Sequence, residues 1–262
     1  MKFPRLITSD KLEHLIQTRI NEALARHDAE QQLELLKKQA DIAMLQAQIN
    51  PHFLYNTLEC IRSQALIKSE PEIAAIAQAL SIFYRYSIST KEDIVTLREE
   101  LINVENYVYI QKYRFRDRFN LLLDIDKSDL DLMNIALPKL TLQPLIENAI
   151  IHGLSSHVKP DAYVRITAEL TAKHANIHIS DNGIGIAPEI LNRLNNELYD
   201  MRIPIKREGH GIALMNVHRR LAFLFGNDYG LNISSYLNIG TDIEIHIPQM
   251  STTELLIGAV EK

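Results

Sequence analysis

Cysteine is nearly absent: Cys60 is the only one in 262 residues. No disulfide can form within the chain, which fits a reducing compartment. No run of about 18 apolar residues occurs, the length that would suggest a membrane-spanning helix, and the start lacks the three-part pattern of a signal peptide. A basic excess is missing as well. The formal net charge of −5 argues against a nucleic-acid partner, which needs a dominant positive footprint. Internal repeats and low-complexity segments are also lacking. The expectation is a soluble, cytoplasmic chain, compatible with being an internal portion of something longer. What is present is a globular balance of 46% hydrophobic and 23% charged residues, in a length that suits one large domain or two modest ones.

Residues 9 to about 48 hold neither glycine nor proline and are rich in Leu, Ala, Glu, Gln and Lys. This predicts one long helix, capped by Ser9 or Asp10. Leu33, Leu36, Ala40, Ala43 and Ala47 alternate spacings of three and four, a short heptad stripe. It fits either a coiled-coil dimer or a helix packed on its own domain. A second helix is expected from Leu54 to about Ser69. A third opens at Pro71, with Ile73, Ile76, Ala77, Leu80 and Tyr84 on one side, and the two read as an antiparallel hairpin. A fourth pattern, Leu97, Leu101, Val104, Val108 and Gln111, runs to about Arg118.

After Phe119 the texture changes. "LLLDID" is strand-like, and "LPKLTLQPLIENAIIHGL" reads as one helix closed by Gly153. "AYVRITAEL" and "ANIHISD" alternate as strands. Helices are expected over about 188–196 and 212–225, and "LNISSYL" and "TDIEIHI" close as a strand pair. The fold class is α+β, a helical segment followed by an α/β sandwich with an antiparallel or mixed sheet, divided near Phe119.

Three motifs stand out in the second half. Asp181-Asn182-Gly183-Ile184-Gly185 ends a strand; an aspartate there can accept from an exocyclic amine, and the glycines allow close backbone approach. A plain turn would look the same. Gly209-His210-Gly211-Ile212-Ala213-Leu214 opens a helix whose free amides would attract phosphate. Glu147-Asn148, with His152 shortly after, interrupts an apolar helix. Buried polar groups need partners: either they satisfy each other, or Asn148 offers a carbonyl oxygen to a hard cation such as Mg²⁺.

In this order the three motifs resemble the N, G1 and G2 boxes of the GHKL ATPase superfamily, whose ATP domain is a Bergerat-type α/β sandwich. "LQAQINPHFLYNTLECI" and "LREELINVENYVYIQKYRF" narrow the likeness to sensor histidine kinases of the LytS/YesM type, over about residues 45–248. The resemblance implies a two-component kinase that phosphorylates its own histidine from Mg-ATP and passes the phosphoryl group to an aspartate of a response-regulator receiver domain. It implies His52 as phosphoacceptor, with Asn56 and Glu147 completing the catalytic set. Asn148, His152, Asp181, Gly183 and Gly185 would meet ATP from one side and Gly209, Gly211 and Leu214 from the other, with Asn148 on the metal. The implied domains are a signalling helix over 1–46, resembling the end of a HAMP linker, dimerisation and phosphotransfer helices over 47–118, the ATP domain over 119–250, and a tail over 251–262. A homodimer is implied, and continuity with a transmembrane sensor region of a membrane receptor.

The sequence departs from the broader kinase pattern in three places. Phe53 follows the histidine where many kinases have an acid. Ile151 replaces a frequent N-box lysine, and Ala213 the last glycine of the G2 pattern. These bear on catalytic rate more than on ATP binding. They leave open a nonenzymatic module that binds nucleotide and signals by dimer rearrangement.

Helical geometry independently supports an accessible His52. At about 100° per residue, His52, Asn56, Glu59 and Ser63 share a polar face. Leu54, Leu58, Ile61 and Ala65 are expected on the core side. Pro51 would bend or loosen the helix beside the nucleophile, either as a joint between signalling and catalytic helices or as a tolerated kink.

Overall fold

The computed structural model describes residues 51–89, 93–115, 118–154, 159, 161–199 and 211–255. The long helix with its heptad stripe and the expected site residue Gly209 lie outside these. The chain divides into two compact units, Met1–Phe53 and Leu54–Lys262.

Helix α1, Pro51–Ile67, already includes Pro51, His52 and Phe53, three residues earlier than expected. Its far end closes with Ser69 in the left-handed region at φ 60. Glu70 N–H reaches the carbonyl of Ala65 at 2.9 Å and Ser69 N–H that of Leu66 at 3.1 Å. This paired closure satisfies two terminal carbonyls. Pro71 then opens α2, Pro71–Ile88, where its missing N–H costs nothing. The two helices touch where Tyr55 donates to the Tyr84 carbonyl at 3.4 Å and lies beneath the Arg85 guanidinium.

Leu58 and Ala65 are buried on α1, but Ile61 is 45% exposed, contrary to the expected core side. Ile73, on the apolar side of α2, is also 45% exposed. On α2 the tightly packed positions are Ala74, Ala77, Ala79 and Ser81. Phe83 and Tyr86 of the same helix also turn inward, Phe83 against the core beside Tyr107 and Tyr86 onto Glu100.

Strand β1, Ile94–Thr96, pairs antiparallel with β3, Ala136–Pro138. Helix α3, Leu97–Phe115, starts with a reciprocal cap. Thr96 N–H and hydroxyl both donate to Glu99 at 2.8 Å, and Glu99 N–H donates back to Thr96 Oγ1 at 3.2 Å. This Thr-x-x-Glu box fixes the first turn. Between β2, Asn120–Asp124, and β3 sits the short helix α4, Leu130–Met133, capped by Asp129.

The expected single helix from Leu137 to Gly153 is not formed. Ala136–Pro138 is strand β3, and Leu140 takes φ 60. Helix α5 covers only Leu142–Asn148, and a π-helical turn carries the chain over Ala149–Leu154. Two prolines bracket the break. Pro138 disfavours helix in the residue before it, while Pro144 is tolerated in the first turn of α5.

The main sheet runs β2–β4–β5–β7–β6, with β4 as Tyr163–Leu170, β5 as His174–Asp181, β6 as Gly230–Tyr236 and β7 as Gly240–Pro248. Only the β2–β4 pair is parallel. Alternation orients it: Ala175, Ile177 and Ile179 are buried, while Asn176, His178 and Ser180 lie on the other face. The buried face meets α3, α5 and α7, Ile212–Phe225. Helix α6, Pro188–Tyr199, packs Leu198 into the same core. Leu97, Leu101, Val104 and Val108 of α3 belong to that core too, so this helix shares its interior with the strands that follow Phe119.

Candidate nucleotide site

Asp181 ends β5. Its Oδ1 accepts the Gly183 N–H at 2.8 Å, a local turn bond that aspartate favours. Burial pushes its carboxyl up to about 6, against the Gly183 and Thr241 amides and the charge of Lys159. A Cβ on Gly183 would collide with the Gly153 carbonyl oxygen, and one on Gly153 would lie 2.9 Å from Asp181 Oδ1. Ile184 N–H donates to that same Gly153 carbonyl at 3.0 Å. The π-helical turn thus lays its end directly on the Asp-Asn-Gly loop.

Asn182 braces the loop from beneath. Its side chain accepts from Tyr163 N–H and donates to the Asp161 carbonyl, each at 2.9 Å. Lys159 Nζ donates to its backbone carbonyl at 2.7 Å. Gly185 sits against the Tyr236 carbonyl, with no room for a side chain.

On α5, Glu147 is half-buried and accepts from Gln143 Nε2 at 3.0 Å; Gln143 in turn accepts from Asn103 at 2.8 Å. Burial, then the Glu147 charge, pushes the Tyr107 hydroxyl upward. Asn148 is half-buried, and no hydrogen bond to its side chain is found among the described residues. A half-buried amide oxygen of this kind suits Mg²⁺, which takes one or two protein oxygens and fills its remaining positions with water and phosphate. Among the described residues no three His, Cys, Asp or Glu side chains form a metal cluster. His152 and Ile151 in the π-helical turn are both exposed.

Gly211 caps α7 at φ 96 and makes no side-chain cap bond. The left-handed backbone there favours glycine. Among the described residues no side chain caps the leading amides of α7, the groups a helix start leaves without partners. The Leu214 side chain is 7% exposed and packs in the core.

His52 and Asn56 are exposed on α1, as are Glu59 and Ser63. Glu59 is engaged by Arg62, whose Nε donates at 2.9 Å. That bond holds the Glu59 carboxyl below its ordinary value.

Two residues of the site were missed in the sequence. Gly240, at the head of β7, has no space for a Cβ because the Asp181 carbonyl lies against it. Its place between two paired strands gives no sign of that neighbour, which comes from β5. Glu100 is 0% exposed and accepts the amides of Leu140, Thr141 and Leu142 at 2.7–2.8 Å. Nothing local in the sequence signals that capture.

A one-sided mixed sheet, an Asp-Asn-Gly loop at a strand end and an uncapped glycine-led helix define a GHKL-class nucleotide-binding sandwich. Residues 134–251 match the family described as histidine kinase-, DNA gyrase B- and HSP90-like ATPase, and residues 40–119 match the histidine kinase family. The chain belongs to the sensor histidine kinases. It is 41% identical over 230 residues to sensor histidine kinase YesM of Bacillus subtilis (strain 168), covering 88% of this chain and 36% of that protein. It is 35% identical to sensor histidine kinase YpdA of Escherichia coli (strain K12), covering 85% of this chain and 36% of the relative. It is 32% identical to sensor protein LytS of Bacillus subtilis (strain 168), covering 87% and 37%. The chain spans about a third of the length of these relatives.

Proposed function

We propose that this chain binds Mg-ATP at the Asp181 loop and phosphorylates His52, then delivers the phosphoryl group to an aspartate on a response-regulator receiver domain. The observation that carries this is the exposed His52 face of α1 in the same chain as the nucleotide cradle around Asp181. Neutral imidazole is a competent nucleophile. A ring nitrogen of His52 attacks the γ-phosphorus, the bond to the β-phosphate oxygen breaks, ADP leaves, and the imidazole proton passes to solvent. Such transfer needs mainly positioning and charge neutralisation. Asp181 would accept from the adenine amine, and Gly183 and Gly185 would let the loop approach the ring. Gly209, Gly211 and the Leu214 amide would face the phosphates, with His152 near them. Asn148 would hold Mg²⁺, and Glu147 a water beside it. Phosphoryl acceptance belongs to residues 47–118 and nucleotide binding to 119–250, with α3 as a shared wall.

Asn56 lies one turn from His52. Its amide does not titrate, so its role is to orient a water or phosphoryl oxygen. A homodimer through the helices of the first part is also proposed. Ile61, Leu66, Ile67, Ile73 and Ile82 stay exposed on α1 and α2, and a second hairpin would bury such faces in a four-helix bundle.

The test is labelling with γ-labelled ATP. Wild type should acquire acid-labile, base-stable label. His52→Gln should acquire none while keeping ATP affinity, and Asn56→Ala should label normally but slow dephosphorylation of the regulator. Label persisting on His52→Gln would place the acceptor elsewhere. An unlabelled wild type that still binds ATP would leave the regulatory module instead.

A further inference from the structure

The segment Lys139–Leu142 feeds α5 and is gripped from three helices. Glu100 of α3 holds it by its amides: Oε1 accepts from Leu140 N–H at 2.7 Å, and Oε2 from Thr141 at 2.8 Å and Leu142 at 2.7 Å. Arg220 of α7 holds the other side, donating to the Leu140 carbonyl at 2.7 Å. The third hold comes from α2. The Tyr86 hydroxyl donates to Glu100 Oε1, and Lys139 Nζ donates to the Ser89 carbonyl just past that helix at 2.7 Å.

The chemistry of the grip is specific. Three of the four groups on Glu100 are amides that can only donate, and the fourth is a hydroxyl already donating. Both carboxylate oxygens are filled by donors, so the anion is the form that fits. Thr141, at the cap position of α5, makes no cap bond of its own, because its hydroxyl donates to Pro138 at 2.5 Å. Glu100 therefore replaces the local cap from 41 residues away. Leu140 is held at φ 60, a conformation unfavourable for leucine, with its N–H and carbonyl both fixed. Strained backbone persists where its surroundings over-determine it. Asn148 lies six residues beyond Leu142, about 9 Å along the axis, so a tilt at the gripped end is carried to it.

We propose that Glu100 is a positioning residue: its carboxylate fixes the leading end of α5 and so places Asn148, and the Tyr86 hydroxyl ties that placement to α2. The assignment of Asn148 rests on the nucleotide-site reading above.

The test uses the full chain. Glu100→Gln keeps the shape but turns an amide nitrogen toward donors. Mg-ATP affinity should fall about tenfold, while ATP affinity without metal changes much less, because the effect runs through Asn148. A merely structural role would lower both together. Tyr86→Phe removes one oxygen. It should keep Mg-ATP affinity within about twofold but slow autophosphorylation at saturating Mg-ATP about tenfold. Hydrogen exchange of the amides at 140–142, read without nucleotide, should be faster in Glu100→Gln than in wild type.

Equal losses with and without metal, or wild-type exchange at those amides, would overturn the positioning role. Unchanged turnover in Tyr86→Phe would remove the tie to α2. Should Glu100→Gln fail to fold, Glu100→Asp, which keeps the charge but shortens its reach, should show the same metal-dependent loss and faster exchange, and equal losses or wild-type exchange there would overturn the role. If wild type binds no Mg-ATP, the nucleotide-site reading fails, and the exchange measurement decides the grip by itself.

Discussion

The carbonyl of Gly153 accepts the N–H of Ile184 at 3.0 Å. One oxygen therefore joins the end of the π-helical turn to the Asp181 loop, and the same oxygen bars any side chain at Gly183. Gly183→Ala must push the two segments apart. We expect a stability loss of about 1–3 kcal/mol, as for overpacked sites, and weakened ATP binding. Thermal denaturation and calorimetry would measure both. An alanine variant with wild-type affinity would show that the loop does not need this contact.

Asp181 sets a pH dependence. Its folded value of about 6 lies above the unfolded value of about 3.9. Between those values the folded state binds more protons than the unfolded one, so stability falls as pH rises through the window. At pH 7 the ionised, buried carboxylate leaves the fold about 2–3 kcal/mol less stable than a neutral group would. Asp181→Asn should flatten the stability profile between about pH 4 and 6.5. In wild type, ATP affinity should weaken as pH drops through the folded value, since the charged acceptor is lost. Denaturant titrations and calorimetry across that range would show either slope.

Asn148 and Asp181 should separate metal from base. Asn148→Ala is expected to weaken ATP mainly when Mg²⁺ is present. Asp181→Ala should weaken ATP with or without the metal. Calorimetry in Mg²⁺ and in chelator distinguishes them, and identical losses in both conditions for both variants would dissolve the assignment.

Ile67, 75% exposed at the end of α1, tests the dimer. Sedimentation at tens of micromolar, roughly the range in which weak dimers form, should find wild type dimeric and Ile67→Arg shifted toward monomer. A monomeric wild type would count against the bundle.

Much of this architecture was legible in the sequence. Strict alternation through Ala175, Ile177 and Ile179 marked β5, and α7 spans the 212–225 read from the sequence. The motif glycines also pointed at the correct turn. What could not be read was the division of residues 137–154. Local propensity favours one helix there, but Glu100 captures its would-be start from another helix, a contact no local window contains. The Thr96–Glu99 box, by contrast, is a local signal for the start of α3. Ile61 is exposed although periodicity puts it on the core side, because periodicity gives a face, not what covers it.

The π-helical turn over Ala149–Leu154 makes regularity and purpose compete. A wide turn holds more residues per revolution than an α-helix, and such insertions cluster at functional sites. Removing a single residue, Ile151 for instance, would let the segment settle into an ordinary α-helix. The outward step of the wide turn would go with it, and with that step the contact of Gly153 on the Asp181 loop. The shorter chain would be the better helix and would lose the junction, so this stretch should tolerate substitution far more readily than a change in length.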